Sequence, residues 1–180
     1  LHKWQKENNN VFVKDGYISK IEYPLNTKML DYAISLFTKI QEKHLQENDV
    51  YFAIIPDKNE YIADLKIDYN QLEKYMYNGL DFATGIQLNQ LLSAEDYYYT
   101  DSHWRQDKIT DVAQHIAKCM GTDIPTDYTK HKLEIPFTGV FAGQLALNCQ
   151  PDTIMYLTND VIENFQVTGA NAVYDMKKAK

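Results

Sequence analysis

Apolar residues recur at spacings of three and four through Met29, Leu30, Ala33, Ile34, Phe37 and Ile40. That spacing is the stripe of an amphipathic helix, capped by Asn26 and running to about Gln46. A second helix is predicted from the cap Asp68 through Leu72, Tyr75 and Met76 to the stop residue Gly79. A third begins at Asp107 or Thr110, buries Ile109, Val112, Ala113, Ile116, Ala117 and Met120, and ends at Gly121. Between these helices the pattern changes. Residues 11–13 and the apolar positions after Asp15-Gly16 read as a hairpin. The continuous apolar run 50–55, stopped by Pro56, reads as a buried parallel strand. Residues 80–86 read as a second strand, and Leu88, Leu91 and Leu92 as a short helical turn. Residues 122–132 read as a polar loop, 135–141 as strand or hairpin, and 152–157 and 165–168 as strands.

Helices alternating with strands predict an α/β fold, a sheet sandwiched by helices. The segment beyond Lys132 reads as a β-rich C-terminal extension. Residues 1–10 form a polar entry and 176–180 a charged, frayed tail. With no repeat, low-complexity tract or linker, residues 1–180 are expected to form one domain without an internal boundary.

Composition narrows the partners. A net charge of -7 argues against nucleic acid, which needs a basic patch. No apolar run reaches membrane-spanning length, and no signal peptide is present. Any membrane association is therefore expected through a segment outside these residues. Fourteen tyrosines suggest broad semi-polar surfaces that stack or hydrogen-bond. The two cysteines, Cys119 and Cys149, match no metal spacing. Cys119 reads as a small buried residue on a helix flank, and a Cys119–Cys149 disulfide stays open.

The chemistry concentrates in Tyr97-Tyr98-Tyr99-Thr100-Asp101-Ser102-His103-Trp104. An Asp that orients a His is the supporting half of a nucleophilic triad. On a helix, residues two apart point about 200° apart and cannot meet; in an extended segment they share a side. The tyrosines favour the extended form, with Trp104 pointing away from Asp101 and His103. The third triad member is missing. The serines are Ser19, Ser35, Ser93 and Ser102, and none lies in Gly-x-Ser-x-Gly or Gly-Asp-Ser. Asp-x-His also opens binuclear metal sites, but His115 and His131 stand alone, so no metal is expected and no cofactor is called for. A bland alternative has Asp101 capping the third helix and His103 packed beside Trp104. At the end of the strand stopped by Pro56, Asp57 and Lys58 are site-adjacent, since ligands bind beyond the carboxyl ends of strands in open sheets.

Residues 97–104 resemble the signature of the DHHW proteins of Gram-positive bacteria, relatives of the SGNH-like alginate O-acetyltransferases. Val11-Phe12-Val13 with Asp15-Gly16-Tyr17, the strand ending in Pro56-Asp57-Lys58, Phe137-Thr138-Gly139 and Pro151-Asp152-Thr153 resemble other elements of that family in order. Ser102 departs from the family name, which implies His there. The resemblance implies an SGNH-hydrolase-like fold, complete or not, and an exported, envelope-associated enzyme. That enzyme would move or hydrolyse an acyl group, above all acetyl, on cell-surface carbohydrate. In those relatives Asp and His come first and a Gly-Asp-Ser nucleophile follows much later. The resemblance therefore implies either a fragment or a shortened homologue that has lost the nucleophile. Asp101 and His103 carry over as triad members, and Trp104 as a motif residue of the substrate-binding site that packs behind the His. Tyr99 and Lys58 are candidates for the pocket rim. The alternative is a non-catalytic surface module whose tyrosine-rich face binds glycan or protein.

Overall fold

The Asp15-Gly16 pair forms a two-residue turn with both φ values positive, 50° and 89°. That backbone matches the twist of a tight hairpin and suits Asp-Gly. It joins β1 (Val11–Lys14) to β2 (Tyr17–Lys20) in antiparallel register. The computed structural model describes residues 10–145, 149–169 and 172–175; the expected entry and the charged tail lie almost wholly outside them.

Asn26 accepts the Met29 N–H and starts α1 (Thr27–His44), as its cap position predicts. Asp68 likewise accepts the Gln71 N–H and starts α3 (Tyr69–Gly79). Between these helices run β3 (Val50–Ala53) and the short α2 (Asn59–Ile62), and β4 (Ala83–Ile86) follows α3. β3 and β4 pair in parallel, joined through α2 and α3 as a crossover requires. Then come α4 (Thr110–Cys119), β5 (Thr129–Phe137), α5 (Val140–Leu145), β6 (Asp152–Thr158), α6 (Asp160–Glu163), β7 (Gln166–Gly169) and β8 (Ala172–Asp175).

The architecture is mixed α/β, but the strands do not join into one sheet. Among the described residues they form four two-stranded sheets: β1–β2, β3–β4, β5–β6 and β7–β8. Two apolar clusters hold the elements. Val11 and Ile18 of the first hairpin pack with Phe141 and Ala142 of α5. Ile86, Leu88, Leu92 and Val112 form the other, with Trp104, Ile109 and Ile116 against them. Among the described residues no helix is long and apolar enough to cross a membrane.

The helix α1 forms as its apolar stripe predicts, though no residue of it is buried, with Met29 60% and Phe37 48% exposed. Its covered contact is with α3, where Ile34 meets Gly79 so closely that a Cβ there would sit 2.3 Å from Ile34 Cδ1. Several expectations are corrected. β3 is half-buried throughout rather than buried. Met120 and Cys119 are exposed, because α4 turns its closing residues away from the cluster, and both cysteines are free thiols. The strand β5 starts at Thr129, inside the expected loop, because β6 pairs with it from Thr158 onward. Val140 and Phe141 open a helix instead of ending a strand.

Candidate functional site

The tyrosine-rich stretch is not extended; it folds back on itself. Tyr97 and Trp104 form an antiparallel bridge, the Tyr98 N–H donates to the His103 carbonyl (3.1 Å), and the Arg105 N–H donates to the Asp96 carbonyl (2.6 Å). The tip of this loop carries the chemistry. Asp101 Oδ1 accepts the backbone N–H of His103 two residues on, at 3.0 Å, the local turn that a short Asp side chain makes readily. The same oxygen bonds to His103 Nδ1. Asp101 and His103 thus meet through a turn, not through the alternation of a strand. The other oxygen, Oδ2, accepts the N–H of Val140 at 3.0 Å. Asp101 therefore caps no part of α4, and the bland alternative falls.

The two members sit in different environments. The Asp101 side chain is almost wholly buried, whereas that of His103 is 78% exposed. Burial pushes the Asp101 carboxyl upward. The hydrogen bonds from the His103 ring and from the N–H groups of Val140 and His103 outweigh this and hold it below its ordinary range. With Nδ1 held by the carboxylate, Nε2 is the nitrogen left to take a proton.

The loop is fastened from several sides. Asp152, at the start of β6, accepts the Tyr99 N–H (2.9 Å), the Thr100 N–H (2.8 Å) and the Thr100 hydroxyl (2.6 Å). Thr100 Oγ1 in turn accepts the Gly139 N–H at 2.8 Å. Gly139 is held against the couple: a Cβ there would lie 2.4 Å from Asp101 Cβ and 2.6 Å from the Thr100 carbonyl oxygen. The β2 residue Ile18 donates its N–H to the Tyr99 carbonyl (2.8 Å), and Phe141 donates to the Thr100 carbonyl (3.2 Å). The Tyr97 hydroxyl donates to the Pro56 carbonyl (2.5 Å).

The remaining candidates divide. Tyr99 is 45% exposed, stacks on Tyr17 with ring centroids 4.2 Å apart, and lines a cavity of about 780 Å³ with Arg105, Asp152 and Thr153. His103 is not among the residues lining that cavity. Lys58 is not at a rim. It is fully buried, with its ammonium on three loop carbonyls, so the place expected for it is corrected. Trp104 packs half-buried against the cluster of Ile86, Leu88, Leu92 and Val112. Asp57 supports the frame: its carboxylate accepts the Ser19 hydroxyl (3.1 Å) and the Asn59 N–H (2.9 Å). Three residues at the site escaped the sequence reading: Thr100, Gly139 and Asp152. The only signal was their place in elements read as turns and family-like segments.

No serine bonds to His103 among the described residues. Ser19 is buried on Asp57, Ser35 donates to the Tyr32 carbonyl, and Ser93 bonds to Asp96. Nor, among them, does any cluster of three or more His, Cys, Asp or Glu side chains form a metal site. His131 bonds to the Thr158 hydroxyl (2.8 Å), and His115 lies 3.6 Å from Cys119 Sγ.

No family pattern matches the sequence, and no curated protein matches it. Solved structures do match the fold. Bacillus cereus PatB1 bearing a sulfonyl adduct superposes with a TM-score of 0.71 at 16% identity, covering 93% of this chain and 64% of its own. A DHHW family protein from Eubacterium siraeum gives 0.70 at 15% identity, covering 87% of this chain and 56% of its own. The O-acetyltransferase domain of Pseudomonas putida AlgJ gives 0.58 at 15% identity, covering 83% and 64%. The chain thus spans less than two thirds of the length of each. In its fold the chain is similar to a DHHW family protein and to an O-acetyltransferase domain, in agreement with the resemblance carried by residues 97–104.

Proposed function

We propose that this chain carries the base half of an acyl-transfer site, with His103 as general base and Asp101 as the group that orients it. The observation that carries the reading is the bond between Asp101 Oδ1 and His103 Nδ1, with the ring otherwise open to solvent. That geometry suits a base that removes a proton through Nε2 while a buried carboxylate stabilises the imidazolium. The nucleophile, a serine hydroxyl, would come from outside residues 1–180. Its oxygen would attack the acyl carbon as His103 takes its proton. His103 would return that proton to the departing donor group as the acyl–donor bond breaks, and the acceptor hydroxyl would then displace the serine in the same way. The short span relative to the neighbours is consistent with such an arrangement. The sulfonyl adduct on PatB1 fits the same class, since sulfonyl groups are captured by activated nucleophiles. The acyl group is acetyl and the acceptor a cell-surface polysaccharide, which puts the protein in the envelope or outside the cell. The SGNH-like sheet would be built around β3 and β4, with β5–β8 as an extension of it.

The test uses the longest reading frame that contains these residues. Acetyl transfer to a polysaccharide or oligosaccharide acceptor should fall by about 10³- to 10⁴-fold in His103→Ala and Asp101→Ala. Residues 1–180 alone should not turn over 4-nitrophenyl acetate. Turnover by that chain, abolished in His103→Ala, would show that the nucleophile lies within it. A second reading is favoured by the Tyr17–Tyr99 stack beside the 780 Å³ cavity: a non-catalytic module that binds glycan by stacking. Binding of oligosaccharide that Tyr99→Ala weakens, with no His103-dependent turnover in any reading frame, would favour it.

A further inference from the structure

Below the loop that carries Asp101 lies a buried cation that the proton-transfer chemistry does not use. The Lys58 ammonium donates to the carbonyls of Tyr98 (2.7 Å), Tyr99 (3.0 Å) and Asp101 (2.6 Å). An ammonium has three N–H donors and no acceptor, so this lysine is saturated by the loop backbone. Its charge also lies 5.9 Å from the Tyr17 ring centre and 5.5 Å from that of Phe141. Asp152 takes the opposite set of groups, the N–H donors of Tyr99 and Thr100. A cation therefore holds the carbonyls and an anion the amides of one short segment. That segment ends at the carboxylate on which His103 depends.

A neutral apolar side chain of the same size would spare the cost of burying a charge but would leave the three carbonyls without a donor. Charge burial alone does not account for the placement. What the ammonium alone supplies is a three-point hold. The Tyr98 and Tyr99 carbonyls fix two peptide planes before Asp101, and the Asp101 carbonyl fixes the plane after it. The plane between, at Thr100, is held by the Phe141 N–H, and bracketing Asp101 in this way sets the direction of its side chain. We propose that Lys58 is a positioning residue: its ammonium fixes the loop backbone so that the Asp101 carboxylate meets His103 Nδ1. The inference deepens the reading of Asp101 and His103 as the base half of the site, and rests on it for its catalytic meaning.

The hold is sensitive to protonation. Burial pushes the Lys58 ammonium down to about 8, against the pull of Asp57, Asp152 and Asp101, the charged groups that face it. The Tyr17 phenol beside it is pushed upward by its own burial and does not titrate in that range. A neutral amine keeps two donors for three carbonyls.

The experiment reads the His103 ring by ¹⁵N NMR, because the two ring nitrogens report which of them carries the proton. In the wild-type chain, Nδ1 should carry it and bond to Asp101. In Lys58→Met, with the fold verified by backbone amide dispersion, the His103 ring should become a mixture of tautomers. Lys58→Arg should restore it only in part, since a planar guanidinium cannot direct three donors from one nitrogen to three separate carbonyls. If Lys58→Met does not fold, the wild-type chain supplies the measurement. Between pH 7 and 9.5 the carbonyl ¹³C signals of Tyr98, Tyr99 and Asp101 should move with a midpoint near 8. The His103 Nδ1 signal should carry a component with the same midpoint. Carbonyls that titrate while the ring shows no such component, or a Lys58→Met ring identical to wild type, would overturn the proposal. Activity in the longer reading frame separates the two levels. If His103→Ala is inactive and Lys58→Met loses about 10²-fold in kcat with KM unchanged, both stand. If His103→Ala is inactive and Lys58→Met turns over normally, Lys58 falls alone. If His103→Ala is fully active, the base reading falls, and the NMR result still decides whether Lys58 orients the couple.

Discussion

The loop at residues 97–104 and the layer of α1 on α3 are covered to different degrees. In the loop, buried polar groups find partners: Asp101, Thr100, Asp152 and Lys58 are each bonded two or three times over. In the other layer apolar side chains lack cover: Met29, Phe37 and Ile40 lie in solvent on a helix with no buried residue. Burial of apolar area is the larger force in folding, yet here the polar network is the better resolved part. Polar networks must be closed locally, because an unpaired buried group costs about 1–3 kcal/mol wherever it sits. Apolar faces can wait for other parts of a structure. The polar network of the loop is thus closed, whereas the apolar face of α1 is open to solvent.

The largest effect should come from Asp152→Ala. It strips an acceptor from the Tyr99 N–H, the Thr100 N–H and the Thr100 hydroxyl together. A loss of about 3–5 kcal/mol in urea unfolding is expected, with the His103 ring signal changed in whatever folded population remains. A loss below about 1 kcal/mol would mean that water replaces the carboxylate and that the loop is less closed than its bonds imply.

Gly139→Ala should come next, at about 2–3 kcal/mol, because the added methyl meets Asp101 and the Thr100 carbonyl at distances no real Cβ tolerates. Gly143→Ala, four residues on in the same short segment, has nothing within 4 Å and should stay within about 1 kcal/mol of wild type, on the stabilising side. Thermal melts of the pair separate close packing at the couple from a general intolerance of that segment.

A smaller effect should appear in acid. The Asp101 carboxyl is held below its ordinary range, so the folded state binds this proton later than the unfolded chain does. Its contribution is full above the ordinary carboxylate range and is lost as pH falls through the folded-state value. The stability gap between wild type and Asp101→Asn should be about 1–2 kcal/mol at pH 6, limited by the exposure of His103. It should close well below pH 4. A gap constant from pH 6 to pH 2 would show that the carboxylate charge contributes nothing to the loop.

Much of this was legible in local signals, and the rest depended on partners far along the chain. The caps Asn26 and Asp68, the Asp15-Gly16 turn and the Asp101–His103 pairing are fixed by neighbours within a few residues, and the sequence reading found all of them. The loop reversal, the reach of Asp152 to Thr100 across 52 positions and the burial of Lys58 under Tyr98 across 40 are not local. Propensity misled at the tyrosines, because their cross-bridged fold is set by Asp101, Asp152 and Lys58 rather than by a preference for strands. Periodicity was right about the helical face of α1 but could not say whether anything covers it.

That face gives the smallest expected effect and the sharpest check on the comparison. Phe37→Ser with Ile40→Ser, both 48% exposed in wild type, should change unfolding stability by no more than about 1 kcal/mol in residues 1–180. Buried core positions of the same type lose about 3–5 kcal/mol for Phe and about 2–5 for Ile on truncation, so the contrast is measurable. The same double variant made in the longest reading frame is the informative partner. If further chain packs on α1, the cost should rise toward the core value there while staying small in residues 1–180. Equal, small costs in both would mean that the face stays open in the longer reading frame as well, and that missing cover is not what separates this layer from the loop.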